Sequence, residues 1–129
     1  MPFIEVATAQ NSRYDGDAAV MVGTTTTAAA AIVDLVPQAA AAPGRVLIAA
    51  FEGGQRTGGY AIHIDAIERD GDRLIVRATF TEPAPGTLVT QVLTSPVHVV
   101  SVAQADASGV REAVLLDRGG AERARRALT

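Results

Sequence analysis

The stretch Gly53-Gly54-Gln55-Arg56-Thr57-Gly58-Gly59-Tyr60 puts four glycines into eight positions. It separates the apolar runs Val46-Leu47-Ile48-Ala49-Ala50-Phe51 and Tyr60-Ala61-Ile62-His63-Ile64. Neither run can continue as regular structure through it. Glycine admits positive φ and close backbone approach, so the cluster predicts a tight hairpin loop joining two strands. A polar loop on a rigid sheet is also where recognition residues collect.

The remaining pattern is mainly β. Residues 3–9 alternate weakly and read as an edge strand, residues 18–22 as a second short strand. Thr24-Thr25-Thr26-Thr27 supplies N-cap candidates for an alanine-rich helix over 28–36, ended by Pro37. Residues 39–42, before Pro43-Gly44, read as a loop. The continuous run 46–51 fits a strand covered on both faces. Alternation on either side of Asp70-Gly71 predicts a long antiparallel hairpin over 60–81. Pro83 and Pro85 break the chain rigidly. Residues 97–102 and 110–116 read as strands, and 121–128 as a short terminal helix. The expected architecture is mainly β (α+β): an antiparallel β-sandwich or partial barrel of about seven strands with one or two short helices, in a single domain over 1–129.

Composition removes several function classes. With no cysteine, disulfides, thiolate catalysis and Cys-based zinc sites are excluded. The net charge of -3 argues against a nucleic-acid partner, and the basic residues between Arg118 and Arg126 read as a solvated helix or tail. No stretch is long and apolar enough for a membrane span. The opening Met1-Pro2-Phe3-Ile4-Glu5-Val6 lacks the features of a signal peptide, so the chain as written reads as a soluble, cytoplasmic-type product.

Residues 53–58 fit the glycine spacing of a phosphate-binding loop, but Gly59-Tyr60 stands where Lys-Ser/Thr is required, and a strand follows. Nucleotide binding is therefore not expected, and no cofactor is. His63 and His98 on neighbouring strands, with Asp65, could contribute to a metal site, yet ordinary sheet-surface histidines explain them better, and no metal is expected. Ser12, Ser95, Ser101 and Ser108 show no nucleophile motif. Glu68, Asp70 and Asp72 read as solvated charge at a hairpin tip. No catalytic residue is expected, and the protein reads as a non-enzyme. Arg56 and Tyr60 are the better functional candidates, since exposed arginine and tyrosine commonly anchor interfaces. The threonine-rich segment 87–95 reads as a strand, or as an exposed edge to which an extended peptide or a second subunit could add.

Gly54-x-Arg56-Thr57-Gly58-Gly59-Tyr60, a polar hairpin, Pro83-x-Pro85-Gly86 and then Val89-Thr90-Gln91-Val92-Leu93-Thr94-Ser95-Pro96-Val97-His98-Val99-Val100 together resemble the C-terminal domain of the PrcB family, over residues 45–103. That family takes its name from a protease-complex subunit, an accessory lipoprotein of a secreted subtilisin-like protease. The resemblance implies a small β-rich accessory domain, a protease as partner, and a cell-envelope or secreted setting. The chain departs from it in lacking an export signal and a lipobox cysteine. Residues 55–60 also resemble the loop of chagasin-type protease inhibitors through Thr57, a glycine and Tyr60, without its proline. The candidate contact surface is Gln55, Arg56, Thr57, Gly58, Gly59 and Tyr60 with Glu82, Pro83, Thr90 and Gln91. Its expected use is protein binding; a loop-inserting inhibitor and a purely structural or self-associating domain are the alternatives.

Overall fold

Among the described residues, eight strands and one α-helix follow one another as β1 (Ile4–Ala9), β2 (Ala19–Val22), α1 (Thr26–Leu35), β3 (Arg45–Phe51), β4 (Ala61–Asp70), β5 (Arg73–Thr81), β6 (Val97–Ala103), β7 (Glu112–Leu116) and β8 (Glu122–Ala127), with a 3-10 turn at Gln104–Ala107 before β7. The structure is a computed structural model that describes residues 1–40 and 42–128. The expected loop over 39–42 thus includes Ala41, which lies outside the described residues.

The strands form two four-stranded sheets, ordered β1-β6-β3-β2 and β4-β5-β7-β8, and no barrel closes among the described residues. The first sheet is covered on both faces, which explains the unbroken apolar run of β3. Leu47, Ala49, Phe51, Val97 and Val99 pack with Ile32 and Val36 under α1. Val46, Ile48, Ala50, Val100 and Val102 face Ile62, Ile64, Ile67, Leu74 and Val76 of the second sheet. Helix, sheet and sheet therefore stack as three layers. The Thr25 hydroxyl accepts a hydrogen bond from the Ala28 amide at 3.0 Å and starts α1 as the threonine run predicts. The β4–β5 hairpin turns at Gly71, whose φ is 64°, with Asp70 opposite Arg73.

The structure corrects three expectations. Residues 121–128 form β8, an antiparallel partner of β7, rather than a helix. Ala124 and Leu128 pack against the inter-sheet core, and a short helix without such packing is marginal. Two arginines of this stretch, though exposed, are paired: Arg125 reaches Glu112 at 3.0 Å and Glu122 at 2.7 Å, and Arg123 reaches Asp117 at 3.5 Å. Second, the sheets are not wholly antiparallel, because β5 and β7 run parallel. Third, the segment 87–95 is not a strand. It is irregular, tied by single bridges from Thr94 to Gln55 and from Ser95 to Asn11.

Candidate functional site

The glycine-rich stretch is not a hairpin loop. β3 and β4 lie in different sheets, so residues 52–60 cross from the first sheet to the second. Residues 82–96 cross back from β5 to β6. The antiparallel register of β1 and β3 on β6, and the parallel register of β7 on β5, bring the connections 10–18, 52–60, 82–96 and 117–121 to one end of the sandwich.

At that end the two crossing loops lie side by side. The Gln55 amide donates to the Thr94 carbonyl at 2.8 Å, and the Thr94 amide returns a bond of 2.9 Å to the Gln55 carbonyl. The Thr94 hydroxyl donates to the Thr57 carbonyl at 2.8 Å, and the Gly58 amide donates to the Thr90 carbonyl at 2.9 Å. Gly59 has a φ of 90°, and a Cβ there would stand 2.9 Å from the Pro83 Cβ, so only glycine lets the loops approach this closely. Gly53 has the same role against the third connection: its φ is 100°, and a Cβ would meet the Gly16 carbonyl oxygen at 2.9 Å.

All ten residues singled out from the sequence fall on this end. Gln55, Thr57, Gly58 and Pro83 are half-buried where the loops meet, and Tyr60 is half-buried at the entry to β4. Arg56, Gly59, Glu82, Thr90 and Gln91 are exposed. Sequence reasoning missed the most exposed apolar groups beside them. Leu88 is 99% exposed, Leu93 80% and Val92 49%. Their threonine-rich, β-prone surroundings suggested a strand that would bury alternate side chains, and that same composition concealed their exposure. Arg56 and Leu93 also border a cleft of ≈ 620 Å³ formed by residues 11–17, 54–56 and 93–95.

Glu52 was missed as well. It follows the buried run of β3 directly, is 6% exposed, and its Oε2 has no hydrogen-bond partner. Burial pushes its carboxyl up to about 7, opposed by the Arg123 guanidinium and reinforced by Glu82. A carboxylate continuing an apolar run into a pair of glycines was the available signal.

The buried hydroxyls have partners other than imidazole. Ser12 and Ser95 lie 2.9 Å apart, and the Ser95 hydroxyl donates to the Tyr14 carbonyl at 2.8 Å. Ser101 accepts from Arg45 at 3.1 Å. The two histidines do meet: their rings stack at 4.8 Å, and Glu5, His63 and His98 hold donor atoms within 4.8 Å of one another. His98 is not a sheet-surface residue, however, being 1% exposed. Its Nδ1 accepts from the Ile64 amide at 2.8 Å, so the ring proton sits on Nε2 and is donated to Glu5. A metal at Nε2 would need a lone pair where this tautomer carries a proton. His98 therefore joins the sheets, taking an amide beside the β4 bulge at Asp65 and anchoring the edge strand β1. Asp65 turns instead to His63 at 3.1 Å and Thr79 at 2.6 Å. Burial acts to raise its carboxyl, but these hydrogen bonds outweigh it and hold the group below its ordinary range.

Fold and site thus define a helix-backed β-sandwich that gathers four connections, two of them braced together, at one end. A family model described as PrcB C-terminal matches residues 46–103, from β3 through β6 with both crossing loops, and supports a PrcB C-terminal domain over this part of the chain. No curated protein and no solved structure matches the chain.

Proposed function

We propose that this is a non-enzymatic accessory domain that binds a protein partner through its crossing loops, and that the partner is a protease. The observation that carries the reading is the exposure of Leu93, which borders the same cleft as Arg56, and of Leu88 on the same crossing loop, with the two loops held together by backbone hydrogen bonds. Burying large apolar groups that stand in water favours association. A braced loop also loses little conformational entropy when bound. The protease as partner rests on the family match alone, since the PrcB name denotes a protease-complex subunit. Loop insertion in the manner of a chagasin-type inhibitor is less supported, because the backbone of Gln55 and Gly58 is already engaged by Thr94 and Thr90.

Calorimetric titration against a purified subtilisin-like serine protease tests the reading. Binding in the micromolar range or tighter is expected, weakened roughly tenfold or more by Leu88→Ser with Leu93→Ser, a loss of about 1.4 kcal/mol per decade. Absence of binding by the unaltered protein overturns the protease assignment. Equal binding by the double variant overturns the loop surface. Sedimentation of the protein alone checks self-association through the same leucines.

A further inference from the structure

Behind the crossing loops lies a second, smaller pocket of ≈ 330 Å³, bordered by Asp17, Glu52, Gly53, Gly54, Gln55 and Arg123 among others. The Glu52 amide donates to the Pro96 carbonyl at 3.1 Å, which fixes its backbone. Glu52 lines the pocket and is 6% exposed, yet its Oε2 is enclosed without a hydrogen-bond partner. Buried polar groups are nearly always paired, and a carboxylate oxygen left over beside a pocket points to a missing donor.

The charges decide what kind of donor. Asp17 and Glu52 line the pocket and Glu82 lies near enough to act on Glu52, against the single cation Arg123. Arg123 is engaged elsewhere, with Asp117 at 3.5 Å and with its guanidinium 4.1 Å over the Phe80 ring. An anion is disfavoured by this balance. A hard divalent metal wants six or more oxygens, whereas only two carboxylates line the pocket and Arg123 stands among them. An organic cation that donates hydrogen bonds satisfies both the charge and the orphaned oxygen. The pocket shares Gly16, Asp17, Gly54 and Gln55 with the large cleft beside Arg56 and Leu93, so a chain resting on the loop surface passes its mouth.

We infer that this pocket receives a basic side chain of the protein partner, a lysine ammonium or an arginine guanidinium, with Glu52 as its counter-ion. This rests on the protein-binding reading above, and it gives that surface a charge specificity the exposed leucines lack.

The test needs no protein partner, so its outcome is separable from the protease titration. The full chain is titrated at slightly alkaline pH with Nα-acetyl-lysine methylamide and Nα-acetyl-arginine methylamide, using the norleucine analogue as a neutral control, and amide NMR shifts are followed. Saturable shifts at Gly53, Gly54 and Gln55 are expected with at least one cationic probe, absent with norleucine, and weakened roughly fivefold or more in Glu52→Gln. In the unaltered protein the Glu52 carboxyl carbon should titrate at lower pH with the probe present, a readout that holds even if the variant misfolds. No saturable shift with either cation, the same shift with norleucine, or an unmoved Glu52 titration overturns the inference.

Discussion

Two buried side chains, His98 and Glu52, carry polar groups into the sandwich with opposite results. His98 uses both ring nitrogens, one on the Ile64 amide and one on Glu5. His98→Ala leaves that amide without its partner and opens a cavity, so urea unfolding should show a loss of about 2–4 kcal/mol. Glu52 leaves an oxygen unused. Its carboxyl is raised from an ordinary 4.5 to about 7, so the folded state holds a proton that the unfolded chain releases between these values. Stability from this group is therefore fully present below pH 4.5 and falls as pH rises to about 7. Glu52→Gln removes that dependence. Its stability relative to the unaltered protein should improve by roughly 1–3 kcal/mol between mildly acidic and mildly alkaline conditions, read from paired denaturation curves. Neither role was read from the sequence: the histidines looked ordinary, and Glu52 was signalled only by its place between an apolar run and a pair of glycines. Their surroundings come from the contact of two sheets.

Among the elements, those fixed by local chemistry could be read directly. The Thr25 cap, the Asp70-Gly71 turn and the buried run of β3 each signal themselves within a few residues. β8 could not be read this way. Its alanines and arginines favour a helix, and only pairing with β7 makes them a strand. The segment 87–95 failed in the opposite sense, because its β-prone residues cross between the sheets and are tied only by single bridges to Gln55 and Asn11. The glycine cluster was correctly read as a loop, but its span between sheets depends on where β4 lies. That span makes Gly53 and Gly54 unequal. Gly53→Ala combines positive φ with a contact to the Gly16 carbonyl and should cost about 2–3 kcal/mol in thermal or urea unfolding. At Gly54, where a Cβ would meet only Asp15 Oδ1 at 3.5 Å, alanine should be nearly neutral.

Across the whole molecule, the strand directions assemble the candidate surface. The grouping of residues 55–60 with 82–91 was legible as two motifs in order along the chain. The third participant, residues 11–17, and the apolar rim of Leu88 and Leu93 were not, because both depend on which ends of the strands coincide. No described helix is long and apolar enough to cross a membrane. The outer face of the second sheet is laced by ion pairs, Arg77 with Glu68 at 2.7 Å and Arg125 with Glu112 at 3.0 Å, and so offers a partner little unpaired charge. The proposed recognition surface is accordingly the loop end. Hydrogen exchange of the domain with and without a subtilisin-like protease tests this most directly. The account predicts slowed exchange at amides of residues 55–60 and 84–93, with the outer face of the second sheet unchanged. Protection confined to β4, β5, β7 or β8 would contradict it.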